Sequence, residues 1–224
     1  DFLLFQIFPY IMLVTLVVGS ILRMDRDPFS WRSKSSQLLR KKSLIWGSVL
    51  FHGGILVILA GHFVGLLTPI WIFEMFGISH GAKQILAIVA GGVAGVFCFA
   101  GLTILIWRRL FDPRIRATSS FADIAVLLLL YAQLILGLAT IPVSLHHLDG
   151  EEMVKFMNWA QHIFTFRGGA AEYVRDTALV FKLHLTLGMF IFTIFPFTRL
   201  VHFFSAPVNY LFRRQYQIVR RREV

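Results

Sequence analysis

The sequence predicts an all-α integral membrane protein built as a bundle of five transmembrane helices. Of its 224 residues, 57% are hydrophobic and only 15% are charged, and the mean hydropathy is +0.71. A soluble domain carries about 25% charged residues, so this composition excludes a soluble globular fold. A helix needs about 20 apolar residues to cross a bilayer, and five segments of the chain are long enough to do so.

The five segments follow one another along the chain and are separated by polar connections. The predicted spans cover about 2–22, 44–67, 84–107, 121–141 and 178–204. Pro196 lies inside the fifth span and predicts a kink there, because proline lacks the backbone N–H that a helix uses. We find no internal repeat and no separate soluble segment, so residues 1–224 are predicted to form one transmembrane domain.

The basic residues predict the direction of the bundle. Sixteen of the 22 lysines and arginines fall in three segments, 23–43, 108–120 and the tail 205–224. Cytoplasmic loops are enriched in these residues, so we expect a periplasmic N-terminus, a cytoplasmic C-terminus and a cytoplasmic tail. In a soluble protein the net charge of +10 would suggest a nucleic acid partner. Here it indicates orientation and contact with anionic membrane lipid, and no nucleic acid.

The second outer connection is predicted to contain an amphipathic helix over about 151–166. Apolar side chains recur there at near-helical spacing: Met153, Val154, Phe156, Met157, Trp159, Ala160, Ile163 and Phe164. This pattern is typical of a helix that lies on the membrane surface, here the outer one.

Four of the eight histidines lie inside predicted spans: His52 and His62 in the second, His184 and His202 in the fifth. Ionisable side chains are costly in a bilayer unless they are paired or bound, so they indicate function. A single such histidine is equally well explained by a structural hydrogen bond. Two histidines on each of only two spans favour ligand binding.

The alternating direction of the spans sorts these histidines into two pairs. The second span runs outward and the fifth inward, so His62 and His184 lie near the outer face and His52 and His202 near the inner face. Each pair can supply both axial ligands of a haem iron, which then transfers electrons and does not activate a substrate. The ligands are ten residues apart in one span and eighteen in the other, about 15 and 27 Å of helix. Tilting or bending has to absorb this difference.

Zinc binding and proton transport are the competing interpretations. Structural zinc sites use Cys and His at close loop spacings, but the only cysteine, Cys98, lies in an apolar stretch. Proton relays place acidic residues in mid-span, and the only acidic residue in the spans, Asp123, lies near a span end. Four glycines beside the histidines either let a porphyrin approach the backbone or let helices pack closely: Gly53, Gly54, Gly61 and Gly188.

The stretches around the histidines have the pattern of a known family. They include Phe51-His52, Gly61-His62-Phe63, Arg108-Arg109-Leu110-Phe111, Leu183-His184-Leu185, Arg199-Leu200-Val201-His202, Pro207-Val208 and Tyr210-Leu211. In this combination the chain closely resembles, over essentially its whole length, the haem-binding gamma subunit of membrane-bound respiratory nitrate reductase.

The resemblance implies a cytochrome with two haem b groups in the bacterial inner (cytoplasmic) membrane. It assigns His62 and His184 to a distal haem near the outer face, and His52 and His202 to a proximal haem near the inner face. It also implies two soluble partners on the cytoplasmic side, an iron–sulfur beta subunit that relays electrons and a molybdenum-containing alpha subunit that reduces nitrate.

Lys83, at the start of the third span, matches the family lysine associated with quinol binding beside the distal haem. A cationic donor would hold a ubiquinol or menaquinol oxygen and favour negative charge on it as protons leave. Taken alone, the residue is better explained as an interfacial lysine that snorkels to headgroups. His80 is a nearby candidate for accepting a quinol proton, with a surface role as the alternative.

The predicted function is quinol oxidation on the periplasmic side, with electrons passing through two haems to the cytoplasmic iron–sulfur subunit. Two alternatives stay open: a cytochrome b anchor of another quinone-linked oxidoreductase, and a non-haem transporter or structural anchor. Five inner arginines either pair with haem propionates or partner acids or only set the orientation: Arg108, Arg109, Arg114, Arg116 and Arg199.

Overall fold

The computed structural model describes residues 1–31 and 39–205, and all regular structure within them is helical. The α-helices are α1 Phe8–Arg26, α2 Lys41–Leu67, α3 Ile70–Met75, α4 His80–Phe111, α5 Pro113–Ala117, α6 Phe121–Leu145, α7 Glu151–Phe164, α8 Ala170–Arg175 and α9 Leu179–Ile194. A π-helical turn covers Leu3–Ile7, and 3-10 turns cover Pro28–Ser30, Phe195–Phe197 and Arg199–Ser205. The predicted tail beyond Ser205, with Pro207-Val208 and Tyr210-Leu211, lies outside the described residues, as do Arg32 and Lys34.

Five helical segments among the described residues are long and apolar enough to cross a membrane, which confirms the predicted number. They are Leu3–Arg26, Lys41–Leu67, His80–Phe111, Phe121–Leu145 and Leu179–Phe197. The third begins earlier than predicted because Ser79 caps it, accepting a hydrogen bond from the Ala82 N–H at 3.2 Å. Lys83 therefore lies inside the first turn of a helix and not before it.

The spans pack in the order α2, α4, α6, α9 and α1, and the contact between α2 and α4 is the most extensive. Glycines let these two helices approach. A Cβ on Gly54 would lie 2.5 Å from the carbonyl oxygen of Ala94, and one on Gly101 would meet the backbone N of Phe51. Backbone atoms have little freedom to move away, so these glycines are required for the close approach of α2 and α4.

We therefore expect Gly54→Ala to lower the thermal midpoint of the bundle in detergent, corresponding to about 1–3 kcal/mol of overpacking. Circular dichroism of the purified protein measures this. Gly91→Ala is the matched control on α4, because nothing lies within 4 Å of where its Cβ would be. Equal midpoints for the two variants would contradict the assignment of Gly54 to helix packing.

The N-terminal turn is tied to the outer connection by a proline. Pro9 has no N–H to donate to the carbonyl of Phe5, and this carbonyl instead accepts a hydrogen bond from Nε1 of Trp159 on α7 at 2.9 Å. The side chain of Phe5 is buried together with Val174 and Met189. The beginning of the first span, α7, α8 and α9 thus pack together at one end of the bundle, which is the predicted outer end and is called the outer end below.

Helix α7 corresponds to the predicted amphipathic helix, but its apolar face is buried in protein. Met157, Ala160 and Ile163 are at most 3% exposed, and Gln161 donates to the carbonyl oxygens of Leu66 and Thr68 at the end of α2. The expectation that this face rests on the lipid surface is therefore wrong. The same periodicity satisfies either environment, and here the ends of the spans supply the apolar partner.

The predicted fifth span, 178–204, is not one continuous helix. α9 ends at Ile194, and Pro196 lies in the 3-10 turn that follows. Thr198 is extended, with φ −116° and ψ 177°, before the chain turns again over Arg199–Ser205. The predicted kink is thus a full break. Arg23 on α1 stabilises it by donating to the carbonyl oxygens of Pro196 and Thr198, at 2.6 and 2.7 Å.

Candidate functional site

The structure brings the four span histidines together in the two predicted pairs. The ring centroids of His52 and His202 are 6.2 Å apart, and those of His62 and His184 are 6.1 Å apart. His62 on α2 lies beside His184 on α9, and His52 on α2 lies beside His202 on the 3-10 turn Arg199–Ser205. In the packing order α4 and α6 separate α2 from α9. The break at Pro196 allows the His52–His202 contact, because the eighteen residues from His184 to His202 do not rise as one straight helix.

The separation within each pair suits two imidazoles on opposite sides of one metal ion. A ring nitrogen binds a metal at about 2.0 Å, and it lies about 1 Å from its ring centroid, so two axial rings have centroids about 6 Å apart. Among the described residues, no group of three or more metal-binding side chains occurs. The donor sets therefore fit two two-histidine sites better than a zinc site with three or four protein ligands.

Three of the four rings are oriented by a backbone carbonyl. Nδ1 lies 2.8 Å from the Ser48 oxygen in His52, 2.8 Å from the Ile58 oxygen in His62 and 2.6 Å from the Arg199 oxygen in His202. A carbonyl only accepts hydrogen bonds, so Nδ1 carries the proton and Nε2 keeps its lone pair. This is the arrangement that metal-binding histidines use.

The glycines beside the histidines divide into two groups. Nothing lies within 4 Å of where a Cβ would be on Gly53 or Gly61, each next to a histidine on α2. Gly54 instead packs on α4, and Gly188 faces Gln133 of α6. Of the two interpretations that the sequence left open, close helix packing therefore applies to Gly54 and Gly188. Gly53 and Gly61 retain the open surroundings that a flat macrocycle needs.

Lys83 points into the outer end of the bundle and does not snorkel outward. The residue is only 7% exposed. Its Nζ lies 3.9 Å from the ring centroid of Phe73 on α3 and contacts the sulfur of Met157 on α7. Among the described ion pairs none involves Lys83. A buried ammonium with an aromatic face and a thioether as neighbours suits an anionic or oxygen-bearing ligand.

His80 lies one turn before Lys83 on the same face of α4, since positions three apart are neighbours on a helix. Its Nε2 is 3.7 Å from the carboxylate of Glu74 on α3, and both side chains are partly exposed. The pair connects the surroundings of Lys83 with the outer surface. His162, on α7 in the second outer connection, contacts Tyr173 and the carbonyl oxygen of Gly168.

At the opposite end of the bundle, the predicted inner end, Asp123 forms ion pairs with two of the five arginines that the sequence analysis placed there. Its carboxylate lies 3.7 Å from Arg109 and 3.4 Å from Arg199, and it completes the capping box of α6 with Ser120. Asp123 is thus a structural residue at a helix start. This position agrees with the sequence argument against a proton relay.

A second ion pair ties the start of α2 to the end of α4. The side chain of Arg40 lies 2.6 Å from the carboxylate of Asp112. Burial acts to raise the pKa of Asp112, but the hydrogen bonds from Arg40 and from the N–H groups of Ile115 and Arg114 outweigh it and hold the pKa below its usual value. Asp112 therefore stays charged and joins two of the basic segments.

Sequence reasoning missed two residues that contact this site. Arg23 was assigned only to orientation, whereas it holds the chain break that precedes His202. Gln133 on α6 lies against His184, with Nε2 3.1 Å from the His184 carbonyl oxygen. The signal for Gln133 was available, since it is a carboxamide in the middle of an apolar span, whereas Gln6 and Gln84 lie near span ends, and polar groups in mid-span are costly. Nothing in the sequence pairs Arg23 with Pro196.

Comparison with known proteins places the chain in a family. A family described as nitrate reductase gamma subunit matches residues 1–222. The chain is 50% identical over 218 residues to the respiratory nitrate reductase 1 gamma chain of Escherichia coli (strain K12), covering 97% of this chain and 96% of that one. It is 41% identical over 220 residues to the nitrate reductase gamma chain of Bacillus subtilis (strain 168), covering 98% of each.

A more distant similarity reaches a protein of another complex. The Hdr-like menaquinol oxidoreductase cytochrome b-like subunit of Archaeoglobus fulgidus is 28% identical over 166 residues, which are 72% of this chain and 48% of that protein. The full-length matches decide the assignment. The chain belongs to the nitrate reductase gamma subunit family and is a membrane subunit of respiratory nitrate reductase.

Proposed function

We propose that this subunit is a diheme b-type cytochrome that oxidises quinol at the periplasmic side and delivers electrons to a cytoplasmic iron–sulfur subunit. One observation carries the proposal: two histidine pairs, each with the spacing of axial ligands, connect α2 at two levels with α9 and with the 3-10 turn that follows it. Nitrate reduction is assigned to a separate molybdenum-containing subunit, because the two sites have no open ligand position for a substrate.

In this proposal His62 and His184 hold the distal haem, and His52 and His202 hold the proximal haem. When bound at these histidines, two haem b groups would supply one-electron redox chemistry between quinol and the iron–sulfur partner. The protein fixes the rings of His52, His62 and His202 through their Nδ1 hydrogen bonds and leaves open surroundings beside Gly53 and Gly61. Low-spin ligation on both sides favours electron transfer over side reactions.

Quinol is proposed to bind at Lys83, at the same proposed outer end of the bundle as the distal pair. The ammonium would hold a headgroup oxygen and stabilise negative charge on it as its proton leaves. Phe73 and Met157 exclude water on two sides. His80, with Glu74 behind it, is positioned to take up the proton and release it to the outer surface.

The orientation follows from the distribution of charge. The three basic segments are placed in the cytoplasm and the N-terminus in the periplasm, in the inner membrane of a bacterium. In the described residues, Arg40 pairs with Asp112, and Asp123 pairs with Arg109 and Arg199, so the described parts of the first two basic segments lie at the same end of the bundle as Arg199. That end is the proposed docking face for the iron–sulfur subunit.

One alternative shares the haems and differs in the partner. The distant relative is named as a cytochrome b-like subunit of a menaquinol oxidoreductase, so a related anchor can serve another complex. Identification of the soluble subunits that co-purify with this chain separates the two possibilities. The remaining alternative, a non-haem transporter, predicts no haem at all.

The test is a reduced-minus-oxidised spectrum of the purified protein with haem quantitation. We expect a bis-histidine b-type signal and two haems per chain. The double variant His52→Ala with His62→Ala should bind no haem, because each pair then lacks one ligand. Absence of the signal from the unaltered protein, or two haems in the double variant, would refute the proposal.

Replacing Lys83 with alanine should slow haem reduction by a quinol analogue about 100-fold while leaving the haem content unchanged. Stopped-flow reduction of the oxidised protein measures this. Lys155→Ala is the matched control, a lysine of the same outer end that pairs with Glu152 at 2.7 Å. If both variants react at the unaltered rate, Lys83 does not bind quinol.

A further inference from the structure

We infer that Gln133 is the positioning residue of His184, supplying the hydrogen-bond acceptor for the ring N–H that does not bind iron. The inference rests on the proposed function, in which His184 is an axial ligand. It assigns to a side chain on another helix the role that backbone carbonyls have for the other three histidines.

Helices α6 and α9 pack closely against each other where Gln133 and His184 lie. A Cβ on Gly137 of α6 would lie 2.9 Å from Cε1 of His184, and a Cβ on Gly188 of α9 would lie 3.0 Å from Nε2 of Gln133. Each helix thus has a glycine where the other places its polar side chain. Any larger residue would push against the ring or the amide, so the sequence of both helices accommodates this contact.

Gln133 and His184 each have one buried polar atom without a hydrogen-bond partner among the described residues. Nε2 of Gln133 donates to the carbonyl oxygen of His184 at 3.1 Å and lies 3.5 Å from its ring Nε2. Oε1 of Gln133 and Nδ1 of His184 are both buried and have no hydrogen-bond partner in the described part of the chain. Buried polar atoms are normally paired, so an acceptor and a ring nitrogen are both available at one helix contact.

His184 differs from the other three paired histidines in the hydrogen bonding of its Nδ1. Nδ1 of His52, of His62 and of His202 each has a backbone oxygen within 2.8 Å, and Nδ1 of His184 has none. When one ring nitrogen binds a metal, the other carries a proton and normally donates it to an acceptor. Gln133 presents an unpaired oxygen from the helix packed against this ring. The amide lies within 3.5 Å of the ring, so exchanging its oxygen and nitrogen and turning the imidazole about its Cβ–Cγ bond would direct the ring N–H at the acceptor.

This hydrogen bond has a measurable consequence. An acceptor on the free N–H makes the imidazole a stronger electron donor, which favours the oxidised iron. Its loss should shift the reduction equilibrium of the distal haem toward the reduced form by up to tenfold. For one electron, a tenfold shift raises the reduction potential by about 59 mV. The proximal haem, which has its own backbone acceptors, should not change.

The experiment is a potentiometric titration of both haems in the holoprotein, with low-temperature EPR of the oxidised state. Gln133→Leu removes the acceptor at similar size, and Gln133→Glu retains an acceptor oxygen. Tyr131→Phe is the matched control on α6, since it removes a hydrogen bond to Thr103 away from His184. We expect a higher distal potential and shifted g-values in Gln133→Leu only.

The outcomes separate this inference from the proposed function. Two haems in every variant, with equal distal potentials in Gln133→Leu and the unaltered protein, would overturn the role of Gln133 alone. Loss of the distal haem in Gln133→Leu but not in Gln133→Glu would support it. An equal shift of both haems would also overturn it, because a general structural change would then be the cause. An unaltered protein without haem would refute the proposed function itself.

Discussion

Replacing His184 with alanine should leave the subunit with one of its two proposed haems and abolish the reduction of the retained haem by quinol. His62 would then have no partner across the site, and a single imidazole holds a low-spin haem poorly. Loss of a residue that only orients a metal ligand costs about 10–100-fold in affinity or activity, so loss of the ligand itself should exceed 100-fold. Haem quantitation and the rate of reduction by a quinol analogue measure the two effects.

The retained haem is an internal control for folding in this experiment. His52 and His202 lie at the other level of the bundle and should bind their haem with an unchanged spectrum. His146→Ala is the matched histidine control, since His146 is exposed at the same outer end and belongs to neither pair. Two haems in His184→Ala would show that the outer pair is not a haem site.

The number of spans and the pairing of the histidines could be predicted because each depends on a simple periodic property. A run of about 20 apolar residues has few folds other than a membrane helix. Alternating direction then places His62 beside His184 and His52 beside His202 without further information. The structure brings together these same partners.

The location of α7 could not be predicted from its pattern alone. An amphipathic helix buries its apolar face equally well in lipid or in protein, and only the three-dimensional arrangement shows which is available. Here Trp159 and Gln161 bind carbonyl groups of the first and second spans. Those carbonyl groups are available because Pro9 lacks an N–H and because α2 ends at Leu67.

The geometry of the inner pair was also beyond the sequence. A kink at Pro196 was expected, but its size depends on what binds the carbonyl groups that a broken helix leaves unpaired. Arg23 does so from α1, and the ring of Pro196 packs against Gly19, where a Cβ would lie 3.0 Å away. Contacts between residues more than 170 positions apart leave no local signal.

The two pairs therefore differ in how they are supported. His62 and His184 lie on continuous helices, and Gln133 contacts His184. His202 instead lies on a 3-10 turn that follows the chain break bound by Arg23, and the Arg199 carbonyl oxygen orients its ring. A change at the inner end should thus affect delivery of electrons to the partner without affecting the reaction with quinol. This difference gives the two ligand variants opposite kinetic signatures.

Replacing His202 with alanine should remove the proximal haem and stop electron delivery while the distal haem still becomes reduced. The distal ligands and Lys83 are intact in this variant, so quinol should reduce one haem per chain at the unaltered rate. Nitrate-dependent reoxidation in the assembled complex should fall by more than 100-fold, because this variant would lack the intermediate electron carrier of the proposed path to the iron–sulfur subunit. Stopped-flow mixing of quinol-reduced complex with nitrate measures the reoxidation. Rapid reoxidation of the remaining haem would contradict the proposed path, and slow reduction by quinol would contradict the separation of the two sites.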